Sequence, residues 1–373
     1  MRILIDCRTL LWKGGGGRRY LHNLLMNLAK IDKENEYFLF SVNTEEFDQT
    51  NFKELVFKSP RRQIYNPLWT DILLPLVVMR NKIDLLHSAF ATLPFIKTCP
   101  SVITIHDLAF EVCPEDIPIG KRLFLKASHR FASQSAAKII VPTTRIKEEL
   151  MRIYGVGEEK IEVIYEAAEE VFRPVSKEKA AREVKRKYGI RGDFILHVGI
   201  LRPRKNVLTL LKAFNKLRSD YGAKVKLVLV GRAGLKSDEL FRFIAEQDLH
   251  REVIRLNYVP DKDLMYLYNA AEMLVYPSLY EGFGLPMIEA MACGTPVLAS
   301  NIQPMTEIIG EAGLFVNPHD VTGMAQKMYY ILTDSSLRLN LRQKGLLRSR
   351  IFSWETNAKR TLEIYHEVCL KNR

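Results

Sequence analysis

Glu281 and Glu289 stand eight residues apart at the ends of EGFGLPMIE, in a segment otherwise short of charge. Carboxylates are poor ligands for phosphate but good bidentate acceptors for vicinal hydroxyls. Pro286 between them suits the first turn of a helix, where its missing N–H costs nothing. A helix is therefore expected to begin near Leu285. The N–H groups of Phe283, Gly284 and Leu285 would then lack intrahelical acceptors and could hold a diphosphate. In that arrangement Glu289, one turn inside the helix, takes ribose hydroxyls, and Glu281, before it, takes those of a sugar. Each glutamate alone also has a plainer explanation, as a first-turn acid favoured by the helix dipole or as a loop carboxylate. A second candidate is WKGGGGRRYLHNLL near the start. Glycines opening a helix let backbone N–H groups approach a phosphate closely. A dinucleotide site needs G-x-G-x-x-G and an acid closing the second strand. Here the third glycine position is Arg19 and the second strand ends in Ser41, Val42 and Asn43, so NAD(P) binding is disfavoured.

The elements that must position these residues alternate along the chain. Strands are expected at 2–6, 37–42, 85–88, 101–106, 138–142 and 161–165, and again at 194–199, 225–231, 252–256, 273–278, 296–300 and 313–317. Helical patterns lie between them, notably at 18–30 and 121–136. Apolar runs too continuous for one wet face indicate parallel sheets covered on both sides. Two such series imply two doubly wound domains, with the junction at the start of the polar stretch 172–193. The last helical pattern, 355–370, carries Ala358, Leu362, Tyr365 and Val368 or Cys369 at helical spacing and is expected to return to the first domain. Ligands of open α/β sheets bind beyond the carboxyl ends of the strands, which is where both candidate stretches fall.

At 373 residues, with 47% hydrophobic and 26% charged residues, the chain has room for two soluble domains. No run approaches 18 uncharged apolar residues, so no membrane-spanning helix is expected, and the start reads as a strand rather than a signal peptide. Five scattered cysteines without a CxxC pair argue for reduced thiols in a cytosolic compartment. The net charge of +12 is uneven: residues 1–172 contribute +1 and the remainder +11. A basic second half suits an anionic ligand, nucleotide or nucleic acid, and equally serves solubility.

The run EGFGLPMIEAMACGTPVLAS resembles the E-x7-E signature of the family 4 retaining glycosyltransferases of the GT-B fold, two Rossmann-like domains facing a central cleft. GGGGRRY, ITIHDLAF, GILRPRKN, LNYVPDKDL, EAGLFVNP and FSW support it in the expected order, and the PRKN and HDL variants look most like bacterial O-antigen mannosyltransferases. The resemblance implies an acceptor-side domain of residues 1–172 plus 355–373 and a nucleotide-sugar domain of residues 173–354. It implies that Gly16 packs against the donor diphosphate and that His106 and Asp107 are the HD pair, the histidine contacting the transferred sugar. Arg204 and Lys205 resemble the basic pair that neutralises the diphosphate, and a planar Arg beside a flexible Lys suits phosphate oxygens. Val259 matches a backbone contact to the nucleobase. Ser278, Glu281, Gly282, Phe283, Gly284, Leu285 and Glu289 match the sugar, phosphate and ribose site. The activity implied is metal-independent, cofactor-free hexosyl transfer, mannose favoured, from a GDP- or UDP-linked sugar. The acceptor is a glycan or lipid-linked molecule at the inner face of the cell membrane.

The chain departs from the family's pattern at three places. Ile200 stands where many members carry arginine, so neutralisation falls more heavily on Arg204 and Lys205. Gly17 and Arg18 occupy the second and third positions of the G-I-G-R-Y of some members, and Glu166, Ala167 and Ala168 replace an N-G pair after the first domain's last strand. Asp261, Lys262 and Asp263 form a D-x-D, but after Pro260 they suit a helix N-cap and first-turn acid better than a metal site. His87, His197 and His319 are expected to be structural. The bases of 121–147 lie on a solvated helix face or meet anionic lipid, where each is worth about 1 kcal/mol. Two other classes stay open: a dinucleotide-dependent nucleotide-sugar epimerase or oxidoreductase, and a nucleic-acid-binding protein. The second lacks any aromatic-basic module, so no nucleic-acid partner is expected.

Overall fold

The structure, a computed structural model, describes residues 1–11, 15–41, 50–56 and 68–371. Positions 12–14 of the glycine-rich stretch, and Val42 and Asn43 after the second strand, lie outside the described residues. The chain forms two compact units. One comprises Met1–Glu111, Pro118–Glu166 and Ser353–Arg373; the other comprises Val112–Ile117 and Ala167–Phe352.

The first unit is built on seven strands: β1 (Arg2–Asp6), β2 (Glu36–Ser41), β3 (Phe52–Val56), β4 (Leu85–Ser88), β5 (Ser101–Thr104), β6 (Lys138–Val141) and β7 (Ile161–Val163), ordered β3-β2-β1-β4-β5-β6-β7. All pairings are parallel. Ile3, Leu4, Ile5, Val102 and Ile103 have no exposed surface, as continuous apolar runs require when helices cover both faces. The second unit holds β8 (Phe194–Val198), β9 (Lys226–Val230), β10 (Val253–Leu256), β11 (Met273–Tyr276), β12 (Val297–Ser300) and β13 (Leu314–Val316), ordered β10-β9-β8-β11-β12-β13 and all parallel. Both sheets are doubly wound, and all twelve expected strands form; β2 starts one residue earlier than expected, and the others begin and end within two residues of the expected bounds. β3 was not expected; it lies at the sheet edge, pairs only with β2 and carries Lys53 and Glu54.

In each sheet the strand order reverses beside the first strand, between β1 and β4 and between β8 and β11. Those reversals open a crevice at the carboxyl ends of the strands.

The helix Trp354–Lys371 packs within the first unit against the helix Gly16–Ile31. It buries Ala358, Tyr365, Val368 and Cys369, together with Thr361 and Ile364, while Leu362 is only half-buried. A buried polar chain ties this packing together. The His87 ring on β4 contacts the Tyr365 hydroxyl through Nδ1 and the Thr104 hydroxyl through Nε2 at 2.9 Å. Thr104 in turn meets the Tyr20 hydroxyl at 3.0 Å.

Burial lowers the pKa of His87 to about 3, and that of His129 and His197 to about 4. Each is therefore neutral when folded and takes up a proton more readily once unfolded. Stability is then fully present above about pH 6.5 and lost as pH falls toward those folded values. Each histidine should cost about 2 kcal/mol between pH 7 and pH 5, a range in which ordinary carboxylates still hold their charge. Denaturant unfolding at the two pH values should show this drop, and an unchanged midpoint would contradict it.

Candidate active site

The second unit's crevice is lined by the turns that follow β8 and β11. After β8 the chain makes a tight turn, Pro203–Lys205, and enters the helix Val207–Tyr221. Two hydrogen bonds fasten this turn to the one after β11: Leu279 N–H donates to the Arg204 carbonyl at 2.7 Å, and the Asn206 amide donates to the Pro277 carbonyl at 3.1 Å. Gly231, at the end of β9, has φ 146°, and a Cβ there would lie 1.9 Å from the Gly199 carbonyl oxygen. The backbones thus approach at a distance only glycine permits.

Within this frame the structure joins Arg204, Lys205 and Glu281. Lys205 Nζ forms an ion pair with Glu281 Oε1, and Arg204 Nη1 lies 3.5 Å from Oε2. Lys205 Nζ also donates to the Tyr276 hydroxyl at 2.8 Å and sits over that ring at 4.9 Å. His197 stacks on the same Tyr276 ring at 6.2 Å, with Nδ1 3.0 Å from the Val275 carbonyl. Arg204 Nε pairs with Asp116 at 3.1 Å, and its Nη1 donates to the Tyr280 carbonyl at 3.2 Å. Burial opposes the charge on Glu281, yet Lys205 and Arg204 beside it hold its carboxyl below the usual range. Asp116 goes the other way, burial raising its pKa despite Arg204. The result is two cations and one firmly ionised carboxylate, all nearly excluded from water. The sequence reading had set Glu281 and the basic pair to different parts of a ligand; here they touch.

The expected helix spans Leu285–Cys293, with Pro286 in its first turn. Gly284 precedes it with φ 97°, and a Cβ there would lie 2.4 Å from the Met287 methyl and 3.7 Å from the Tyr276 ring. Phe283 packs edge-on against Phe352 at 6.0 Å. Glu289, 1% exposed, accepts from the Tyr268 hydroxyl at 2.8 Å. Ser278 and Val259 are buried, Val259 just before the helix Asp261–Ala270. That helix is capped by Pro260 rather than Asp261; Asp263 in its first turn pairs with Lys187 and accepts from Tyr188. Among the described residues, no group of three or more His, Cys, Asp or Glu is placed to hold a metal ion.

In the first unit, Gly16 opens the helix Gly16–Ile31 and Tyr20 lies one turn further on. The Tyr20 ring meets His106 edge-on at 4.7 Å. His106 Nδ1 lies 3.0 Å from Glu166 Oε1, and Asp107 accepts from the Ala109 N–H at 3.0 Å, closing the turn that follows. Sequence reasoning missed Tyr20, Tyr276, Asp116 and Tyr268 because single tyrosines and acids carry no spacing signal. Glu166 was visible only as a departure from a pattern.

Residues 14–169 match the family described as Glycosyltransferase Family 4, and residues 180–348 match Glycosyl transferases group 1. The chain is 34% identical to O-antigen chain mannosyltransferase B of Escherichia coli, over 71% of this chain and 70% of that protein. It is 33% identical to the serotype-specific mannosyltransferase WbdA of Escherichia coli, over 64% of this chain but only 29% of that longer protein. Anabaena Alr3699/HepE, solved with UDP-glucose, superposes with a TM-score of 0.77 at 20% identity, covering 98% of this chain and 100% of that one. WaaG, a glycosyltransferase of lipopolysaccharide biosynthesis, superposes with a TM-score of 0.75 at 16% identity, covering 98% and 99%.

Proposed function

The chain belongs to the family 4 glycosyltransferases and has their GT-B fold, and on that premise we propose that it transfers mannose from a GDP- or UDP-linked donor. The acceptor is a hydroxyl of a growing cell-surface glycan or its lipid-linked precursor, and the anomeric configuration is retained. Mannose and the polysaccharide acceptor are supported by the relatives' own descriptions as O-antigen mannosyltransferases. The observation that carries the reading is the Arg204–Lys205–Glu281 cluster at the β8/β11 crevice. A dinucleotide-dependent epimerase or oxidoreductase is not favoured, because glycosyltransferase matches cover residues of both units.

Transfer breaks the bond from the sugar's anomeric carbon to the phosphate and forms one to the acceptor oxygen. Negative charge grows on the departing nucleoside diphosphate, and preorganised cations lower that cost. Arg204 and Lys205 take this role, assisted by the N–H groups that open the helix Leu285–Cys293 and by Gly16 at the first unit's helix start. Glu281 is engaged by both cations, so it is a poor proton acceptor. The departing phosphate oxygen therefore takes the acceptor's proton, on the face it is leaving, and retention follows. Glu281 and Ser278 face sugar hydroxyls, Glu289 the ribose and the Val259 backbone the base. His106, with Asp107 shaping its turn, contacts the transferred sugar. Charge neutralisation by side chains makes turnover independent of divalent metal.

A lipid-linked acceptor calls for a cytoplasmic protein peripheral on the membrane. No described helix is long and apolar enough to cross one. Of the bases in 121–147, Lys126, Lys138, Arg145 and Lys147 are paired with glutamates. Ile119, Leu123 and Phe124 nevertheless lie exposed beside Lys121, which suits shallow insertion into anionic lipid. The protein should co-float with anionic vesicles and less so after Leu123→Asp; equal flotation of the two would remove the membrane from this account.

Removing one charge-stabilising donor typically costs about 10²–10³ in rate. Lys205→Ala, verified as folded, should lose that much in kcat at saturating GDP-mannose or UDP-sugar. Glu289→Ala should mainly raise the donor KM, since ribose contacts are equal in ground and transition states. An inverted product anomer by NMR, or activity abolished by EDTA, would overturn the mechanism.

A further inference from the structure

Glu166 is the first residue of the EAA stretch that follows β7. It is 4% exposed, and its Oε1 lies 3.0 Å from His106 Nδ1. The other ring nitrogen, Nε2, is buried without a hydrogen-bond partner among the described residues. The ring is held edge-on by Tyr20, whose hydroxyl is in turn fixed by Thr104. A carboxylate can only accept, so the contact places a hydrogen on Nδ1. In a neutral imidazole that leaves Nε2 as the acceptor, because the hydrogen bond made by one nitrogen sets the state of the other.

We infer that Glu166 is the positioning residue of His106, fixing its ring orientation and its Nδ1–H tautomer so that Nε2 presents an acceptor to a hydroxyl of the transferred sugar. This rests on the reading in which His106 contacts that sugar. Among the described residues, Glu166, the Tyr20 ring and, further off, His87, which burial keeps neutral, face the ring. The unpartnered Nε2 is what a substrate hydroxyl would satisfy. A buried acceptor left without a donor is unfavourable, and a sugar hydroxyl would remove that cost.

Three variants separate the possibilities. Glu166→Ala removes the acceptor, Glu166→Gln keeps an oxygen in its place without the charge, and His106→Ala removes the ring. Glu166→Ala should lower kcat about 10- to 100-fold, the usual effect of losing a ring-orienting partner, with donor KM changed less than about twofold. Glu166→Gln should recover most of that loss, because the amide oxygen still accepts from Nδ1. Nitrogen NMR of the ligand-free protein gives a readout independent of turnover: His106 should be the Nδ1–H tautomer in wild type and Glu166→Gln, and mixed in Glu166→Ala. An unchanged tautomer in Glu166→Ala, or a kcat within twofold of wild type, overturns the inference. If His106→Ala is itself fully active while the tautomer shifts as expected, the fault lies in the role given to His106, and the inferred function of Glu166 falls with it.

Discussion

Two positive charges side by side and nearly out of water are the constraint around which the second unit is organised. Arg204 and Lys205 could not be buried together at the end of β8 without a negative partner, since each unpaired ion would cost several kcal/mol. Glu281 supplies that partner from the end of β11, 76 residues away in sequence. The pairing in turn requires that the two turns lie against each other, and the Leu279–Arg204 and Asn206–Pro277 hydrogen bonds hold them there. Tyr276 completes the arrangement by offering its hydroxyl and its ring face to the same ammonium. A parallel sheet whose order reverses between β8 and β11 is the scaffold that makes such a meeting possible.

On the proposed reading, the same arrangement would serve a diphosphate leaving group. Cations already fixed by a carboxylate and an aromatic ring need little reorganisation when charge appears beside them, which is how preorganised electrostatics lowers a barrier. Glu281 balances one of the two buried positive charges, and Asp116 pairs with Arg204 as a second acidic partner. The first unit repeats the design at lower charge: a histidine beside a buried glutamate, an aromatic ring against its edge, and a glycine-opened helix one turn away.

Much of this was legible from local signals. Continuous apolar runs identified twelve strands because parallel strands buried on both faces must be apolar throughout. Pro286 placed the start of the Leu285–Cys293 helix because only a first-turn position tolerates proline well. β3 escaped because it is a charged edge strand whose extended form comes from pairing with β2 rather than from its own pattern. The partners of the site residues escaped for a related reason. Asp116 with Arg204, Tyr268 with Glu289 and Glu166 with His106 are joined across 21 to 88 residues by the fold alone. No periodicity or motif encodes such contacts, and the Pro260 cap shows that even a local assignment can miss by one residue.

If the buried pair neutralises the donor's diphosphate, binding should follow phosphate charge. The direct measurement is calorimetric titration with a nucleoside diphosphate and the matching monophosphate, using GDP or UDP, whichever binds more tightly. The wild-type protein should prefer the diphosphate by at least about tenfold, roughly 1.4 kcal/mol, and Arg204→Ala should lose most of that preference while still binding the monophosphate. An Arg204→Ala protein that kept the full preference would contradict the account.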